Sequence, residues 1–288
     1  MTSFWIQPKN AWWWFNLIVT PIGLIVTAFL YGPLVMSLSP EIISLSFVFY
    51  AVMAVAGLLV LRFTKFGTAL PSKVLVTAFI WGSINAIGLA ITLGLGVGNL
   101  STLTGSTMWI SSLGGAVPEE IFKLFCALAV LYLARAWVSH PVHAMLIGMA
   151  VGFGFDLAEN VSYGLNMALI DSNSDLQPML SSWLLRLVVG PLAHMIWTGL
   201  AGWGMGQFLF EKKRSGLGWL FFTIGIHFLF NTDWPLDAVV PEAALEPVSL
   251  AIALAFYVIS AIALIVVWRR APTPQLLSAN PELGGVSA

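Results

Sequence analysis

Apolar segments of about twenty residues follow one another along most of the chain, separated by short polar stretches. A segment of this length, wound as a helix, crosses the ~30 Å hydrocarbon core of a bilayer. About eight such segments can be drawn, so the pattern predicts an all-α, polytopic membrane bundle of about eight transmembrane helices. Their predicted bounds are 14–38, 42–61, 74–95, 117–135, 142–169, 182–210, 216–234 and 248–268.

The same pattern predicts one transmembrane helical domain over residues 1–270. Residues 271–288 contain Pro, Gly and Ser without a hydrophobic period, so they are expected to form a disordered tail. The stretch 96–116 is rich in Gly, Ser and Thr and is expected to be a mobile loop. Pro21 and Pro191 are expected to kink the first and sixth segments.

Composition agrees with a membrane protein. The chain is 59% hydrophobic and 9% charged, whereas a soluble domain carries about 25% charged residues. The formal charge of −1 gives no indication of nucleic-acid binding, and no nucleic-acid partner is expected. The single cysteine, Cys126, excludes an internal disulfide.

The distribution of basic residues predicts how the chain sits in the membrane. Between the apolar segments, Lys and Arg fall on one side of an eight-helix arrangement, and the opposite loops carry acidic residues only. Basic residues favour the cytoplasmic side, so both termini are expected in the cytoplasm. The basic set is Lys9, Arg62, Lys65, Lys73, Arg135, Lys212, Lys213, Arg214, Arg269 and Arg270, and the acidic set is Asp171, Asp175, Asp237, Glu242 and Glu246.

Ionisable residues also occur inside the predicted helices. They are Glu119, Glu120, Lys123, Asp156, Glu159, Arg186, His194 and His227, accompanied by Asn160 and Asn231. A charge facing lipid costs about 3 kcal/mol or more, so these groups are expected to face one another or a wet cavity. At 1.5 Å per residue, members from four helices lie ~20–28 Å from the inner helix ends, which predicts one polar layer in the outer half of the membrane.

The charges in this layer do not balance. Four carboxylates accompany two cations, Lys123 and Arg186, and the helical rise places Arg186 near the outer interface, where it is expected to act as an anchor. Even with both cations included, the layer is short of two positive charges. Protons on the carboxyl groups, protonated histidines or a divalent metal would each make up the difference.

Each motif alone also fits a structural role. Glu119, Glu120 and Lys123 have the three- and four-residue spacing of an ion pair on one helix face. The group formed by Phe155, Asp156, Glu159 and Asn160 can be a polar network between helices. A lone intramembrane histidine can serve only as a hydrogen-bonding residue. Glycines in the fifth and sixth segments are expected to allow close helix packing; they are Gly152, Gly154, Gly199, Gly202, Gly204 and Gly206.

Four motifs occur in order on successive segments. Glu119-Glu120-Ile121-Phe122-Lys123 is similar to EExxK, and Phe155-Asp156-Leu157-Ala158-Glu159-Asn160 is similar to FxxxEN. His194 follows, and His227-Phe228-Leu229-Phe230-Asn231 is similar to HxxxN. This order, over roughly residues 118–231, resembles the PrsW family of intramembrane proteases. It is more distantly similar to the group of CAAX prenyl endopeptidases and bacteriocin-processing proteases. Asp156 lies outside the family pattern.

The resemblance implies an endopeptidase that cuts a membrane-anchored protein near the outer face of the membrane. Its catalytic core would span about residues 117–234. It also implies a bacterial cell membrane as the location and an anti-sigma-factor-like substrate. The family is described both as metalloprotease and as glutamic-type, and the two mechanisms remain open at this point.

The expected mechanism is hydrolysis by an activated water. Glu119 or Glu120 would act as general base, and because neighbouring helical residues point about 100° apart, one of them would touch the water. His194 would hold the water or a metal, and His227 with Asn231 would stabilise the oxyanion. The supporting residues would be Lys123, Asp156, Glu159 and Asn160.

A metal-dependent version is the alternative. Two histidines and one glutamate form a zinc set with an open fourth position. The candidate ligands for one divalent metal such as zinc are Glu120, Glu159, His194 and His227. The sequence slightly favours the metal-free version.

Two functions outside proteolysis also fit. An acidic cluster with histidines inside the membrane is typical of proton- or cation-coupled transporters. The chain shows no inverted repeat, and its cluster lies high in the bilayer, which argues against transport. A scaffold that binds single-pass proteins without cutting them is the second alternative.

Overall fold

A computed structural model describes residues 4, 6–105, 109–110, 112–171, 174–190, 192–238 and 240–272. Over this part of the chain the fold is helical and contains no strand, which confirms the all-α prediction. The helices are α1 Ala11–Ser37, α2 Pro40–Phe63, α3 Ser72–Trp81, α4 Ile87–Leu103, α5 Val117–Leu133, α6 Pro141–Ile170, α7 Leu176–Val189, α8 Ala193–Phe210, α9 Leu217–Phe230 and α10 Glu242–Arg270.

The protein is an integral, multi-pass membrane protein. Among the described residues, five helical stretches are long and apolar enough to cross a bilayer, or six when α7 and α8 are taken as one bent span. Two of the predicted segments correspond to helices outside this set, α5 with 17 residues and α9 with 14 residues. The count of eight and the cytoplasmic position of both termini therefore stay predictions.

Helix α6 forms the centre of the bundle. Its apolar 18-residue stretch is completely buried, because α2, α3, α5, α7 and α8 all pack around it. It touches α8 most extensively. A helix surrounded in this way can carry polar groups without exposing them to lipid.

Glycines allow α6 and α8 to approach backbone to backbone. A Cβ atom added at Gly148 would collide with the carbonyl of Thr198, and one at Gly152 would collide with the carbonyl of His194. The six glycines predicted to serve packing all have such close neighbours, which confirms that prediction. The α6–α8 contact thus fixes the height of His194 relative to α6.

We expect Gly152→Ala to destabilise the fold and displace His194. The added methyl group would overlap a backbone carbonyl, and overpacking of this kind costs roughly 1–3 kcal/mol. Thermal unfolding of the purified protein in detergent should show a lower midpoint than the parent. Gly218→Ala in α9 is the matched control, because nothing lies within 4 Å of its added Cβ and it should not lower the midpoint. Equal midpoints for both variants would contradict the packing role.

The predicted sixth segment is broken rather than continuous. Helix α7 ends at Val189, α8 begins at Ala193, and the two axes differ by 42°. Leu192 adopts the left-handed conformation, with φ of 59°, which no helix interior allows. Pro191, the residue expected to cause a kink, lies outside the described residues.

The stretch 96–116 is partly helical, which corrects the prediction of a loop. Helix α4 continues through Leu103, and a π-helical turn over Ser112–Ala116 leads directly into α5. A hydroxyl contact ties this turn to α9, since Ser112 Oγ donates to the carbonyl of Phe228 at 2.8 Å. The predicted disordered tail lies outside the described residues from position 273 onward.

Candidate active site

Helices α5, α6, α8 and α9 bring the predicted polar residues into one cluster. Helix α5 begins beside it with Glu119 and Glu120 in its first turn, and α8 begins beside it with His194. Helix α9 ends beside it, and Asn231 caps that end. The site therefore lies at the end of the bundle where these three helices start or stop. The residues brought together are Glu119, Glu120, Lys123, Asp156, Glu159, Asn160, His194, His227 and Asn231.

Glu120 is held on two sides and lines neither of the two cavities that reach the cluster. The Nζ of Lys123, which is fully buried, donates to its Oε1 at 2.6 Å. The Nδ1 of His227 donates to the same oxygen at 2.9 Å. Because Nδ1 carries the proton in this contact, the Nε2 of His227 presents a lone pair, to which the Asn231 amide donates at 3.3 Å.

His194 is oriented in the same way by a different carboxylate. Its Nδ1 lies 2.6 Å from Lys123 Nζ, and an ammonium group can only donate, so Nδ1 accepts. The proton therefore lies on Nε2, which donates to Glu159 Oε2 at 2.9 Å. Both histidines thus have one nitrogen held by a carboxylate and turn the other toward the same point.

Glu119 faces the two imidazole nitrogens that converge, Nδ1 of His194 and Nε2 of His227. Its Oε2 lies 3.8 Å from His194 Nδ1 and 3.7 Å from His227 Nε2. This oxygen is buried and has no hydrogen-bond partner. A buried carboxylate oxygen without a partner is costly, so the site has a place for a proton donor or a cation.

Arg186 takes part in the cluster, which corrects its prediction as an interfacial anchor. It binds Glu159 and Asn160, and its guanidinium lies 4.3 Å from the ring centroid of Tyr163. The depth argument assumed a straight sixth segment, whereas the break before α8 lets α7 pack along α6. Trp183 Nε1 donates to the carbonyl of Asn160 at 3.0 Å and holds α7 there.

The structure identifies which carboxylates lack a compensating positive charge. Lys123 is hydrogen-bonded to Glu120 and lies farther, 3.9 Å, from Glu119 Oε2, and Arg186 is paired with Glu159. Glu119 and Asp156 remain, and each has a buried carboxylate oxygen with no hydrogen-bond partner. The predicted shortage of two charges therefore falls on these two carboxylates, neither of which is hydrogen-bonded to a cation among the described residues.

Aromatic rings enclose the two imidazoles. The ring of Trp197 stacks on His227 with centroids 4.1 Å apart, and Phe155 packs against His194 at 4.9 Å. Sequence reasoning missed Trp197, although its position three residues after His194 places it on the same helix face. These rings limit the rotation of both histidines and keep lipid away from them.

Two cavities reach the cluster. One, of about 750 Å³, lies among α6, α7, α8, α9 and α10 and is lined by both histidines. The other, of about 690 Å³, lies beside α4 and the π-helical turn and is lined by Glu119. The two share the lining residues Tyr163, Phe230, Asn231, Thr232 and Asp233. The cluster is therefore accessible from both cavities.

The chain matches the model of a family described as PrsW family intramembrane metalloprotease over residues 70–268. It belongs to the PrsW family. The match covers more than half of the chain and extends beyond the resemblance seen over residues 118–231, because it includes α3, α4 and nearly all of α10. No curated protein and no solved structure matches the chain significantly.

Family membership makes this chain an intramembrane protease, and it raises the question of a metal. Glu119, His194 and His227 each offer one ligand atom, and these atoms lie within 4.8 Å of one another. Zinc bonds of about 2.0–2.2 Å in a tetrahedral arrangement place ligand atoms roughly 3.3–3.6 Å apart, close to the distances from Glu119 Oε2. The unpartnered oxygen and the two imidazole nitrogens therefore fit a divalent metal.

The three residues that converge, Glu119, His194 and His227, differ from the predicted metal ligands. Glu119 takes the place of Glu120, because Glu120 is already bound by Lys123 and His227 Nδ1. Glu159 contacts the far nitrogen of His194 rather than the central point. A second group, Asp156 with Glu159 and His194, also lies close enough to share a cation.

Proposed function

We propose that this protease hydrolyses a peptide bond of a membrane-anchored protein at the point faced by Glu119, His194 and His227. One observation carries the proposal. The buried, unpartnered Oε2 of Glu119 lies 3.7–3.8 Å from two imidazole nitrogens, each turned toward it by a carboxylate on the opposite side of its ring. Lys123 Nζ lies 3.9 Å from that oxygen, beyond hydrogen-bond distance, and its hydrogen bonds go to Glu120 and His194 instead.

The same three residues would hold a divalent metal such as zinc, through Glu119 Oε2, His194 Nδ1 and His227 Nε2. A metal bound there supplies Lewis acidity, which polarises a carbonyl group and makes water more acidic. Lys123 and Asn231 now donate to these two nitrogens and would have to release them. A charge of +2 also matches the two uncompensated carboxylates, which favours the metal-dependent version that the sequence left as an alternative.

Glu120 and Glu159 act as positioning residues in this proposal. A carboxylate on the far nitrogen of an imidazole fixes its tautomer and orientation and raises its basicity. Glu120 does this for His227, and Glu159 does it for His194. Lys123 and Arg186 in turn hold the two carboxylates in place through buried or half-buried ion pairs.

Glu119 is the residue we assign as proton acceptor. Its second oxygen, Oε1, and the Nδ2 of Asn231 both lie beside Gly115, each 3.4 Å from where a Cβ on Gly115 would be. A scissile carbonyl in this space would meet the Asn231 amide as oxyanion donor. Glu119 would take the proton of the attacking water and deliver it to the leaving amine.

We expect Gly115→Ala to lower kcat/KM by about tenfold or more, since an added methyl group would occupy the space between Glu119 and Asn231, and misplacement of reacting groups by about 1 Å can cost a hundredfold. The measurement is the rate of peptide cleavage by the purified protein. Gly96→Ala is the control, because its Cβ would meet nothing within 4 Å. Parental activity of Gly115→Ala would remove this space from the mechanism.

The position of the site suggests where the substrate is cut. Helices α5 and α8 begin at the cluster and α9 ends there, so the reaction takes place toward one end of the bundle. In the orientation predicted from the basic residues this is the outer end. We therefore propose cleavage near the outer face, with an anti-sigma-factor-like membrane protein as a candidate substrate.

The test is reconstitution of the protein in lipid vesicles with a fluorogenic membrane-spanning peptide and no ion gradient. Cleavage by the parent protein, absent from a Glu119→Gln variant, supports the proposal. Ion flux without cleavage would support the transporter alternative, and peptide binding without cleavage would support the scaffold. Either of these last two results contradicts the proposal.

A further inference from the structure

The 750 Å³ cavity connects the catalytic cluster with the loop after α9 and with the first turns of α10. His194, His227 and Glu159 line its inner end. Asp233 and Glu246, both exposed, line its mouth. A substrate that reaches the histidines through this cavity passes the two carboxylates.

The wall of the cavity between α7 and α10 is apolar. Leu185 and Val189 line it from α7, and Leu250 and Ala253 line it from α10. The buried residues of α10 are Ser260 and Val267, both in its second half, so its first half contributes little to the interior. An apolar segment of a membrane protein can therefore lie between α7 and α10 with its flanking residues at the mouth.

The charge of the cavity is strongly one-sided. Asp156, Glu159, Asp233 and Glu246 line it, and among the described residues around it Arg186 is the one Lys or Arg. Arg186 is already bound to Glu159 and Asn160. No ion pair joins Glu246 to any described residue, so its charge is directed at whatever occupies the mouth.

We propose that this acidic mouth selects substrates with a Lys or Arg immediately outside the apolar segment that enters the cavity. This inference rests on the proposed function, since it concerns the recognition of the protease substrate. Glu246 is the specificity-determining residue, because its carboxylate lines the cavity at an exposed position and forms no ion pair within the described part of the chain. Membrane proteins carry few basic residues on their outer flanks, so such a residue distinguishes a small set of them.

Three membrane-spanning peptides that differ only in the residue just outside the apolar segment test the proposal. With Lys, Gln and Glu at that position, kcat/KM of the parent protein should fall in this order. The difference between Lys and Glu should be about tenfold at low ionic strength and shrink with added salt. Equal cleavage of all three peptides would overturn the inference while leaving the proposed function intact.

Variants at the mouth assign the selectivity to Glu246. Glu246→Lys should reverse the order of the peptides, and Glu246→Gln should flatten it. Glu242→Lys is the matched control, because Glu242 is exposed on the same helix one turn earlier and does not line the cavity. Equal loss of selectivity in Glu242→Lys and Glu246→Lys would show a general surface-charge effect and overturn the inference.

Binding separates this inference from the proposed function. Fluorescence anisotropy of the labelled peptides with the Glu119→Gln variant reports recognition without turnover. Tighter binding of the Lys peptide, lost in the Glu119→Gln and Glu246→Gln double variant, supports the acidic mouth even when no peptide is cleaved. Equal binding of the three peptides contradicts it, whether or not the parent protein cleaves.

Discussion

Replacement of Glu119 by Gln is expected to lower the rate of peptide cleavage about a thousandfold. A positioned general base contributes roughly 10²–10⁴ to the rate, and an amide cannot accept the proton. Stability should change little, because the buried Oε2 of Glu119 has no hydrogen-bond partner and its ion pair with Lys123 Nζ is long, at 3.9 Å. The measurements are kcat in lipid vesicles and the thermal unfolding midpoint of the same preparation.

The neighbouring glutamate provides the contrast. Glu120→Gln removes the partner of the fully buried Lys123, and loss of one member of a buried ion pair costs roughly 3–5 kcal/mol. This variant should therefore lose stability together with activity. Glu41→Gln, at an exposed position of α2, is the control and should keep both the activity and the stability of the parent protein. A folded Glu119→Gln protein that cleaves at the parental rate would refute the assigned role.

Removal of a divalent metal is expected to lower activity at least a hundredfold, with recovery when zinc is added back. The expectation follows from the His₂Glu donor set, in which each ligand atom lies within 4.8 Å of the others. The purified protein should contain about one metal ion per chain by elemental analysis. His194→Ala should reduce this content to background, because it deletes one of three ligands.

The metal content is a readout that does not depend on turnover. His143→Ala is a control, since His143 is a buried histidine on α6 outside the cluster and donates no atom to it. It should retain the metal. Full activity of the chelator-treated protein with no detectable metal would instead support the metal-free mechanism, in which Glu119 activates the water alone.

Much of the fold could be predicted from the sequence because the bilayer restricts the choices. A run of about twenty apolar residues has few structures available other than a spanning helix. Helix α6 matches its predicted segment to within one residue at each end, and α10 begins six residues earlier and ends two residues later than predicted. A kink was expected in the sixth segment, but a complete break into α7 and α8 was not, because the apolar pattern runs across it and Leu192 adopts its left-handed conformation without a glycine.

The membership of the site was also largely predictable. Intramembrane charges are costly, so Glu119, Lys123, Asp156 and Glu159 had to meet one another. Arg186 was misplaced, because the rise along a straight helix put it at the interface, whereas α7 folds back along α6. Trp197 was not predicted, because the site prediction rested on ionisable residues inside the membrane and tryptophan carries no charge.

The sequence by itself determined the class of protein, the helices and the shortage of two positive charges in a polar layer. These follow from composition and helical spacing, which are local properties of the chain. Only the tertiary structure decided that Glu119 faces both His194 Nδ1 and His227 Nε2 whereas Glu120 binds His227 Nδ1 from the other side, and that the shortage falls on Glu119 and Asp156. The reason is physical: neighbouring glutamates differ by one helical step of about 100°, and the packing of α5 against α8 and α9 selects which of them turns toward the histidines.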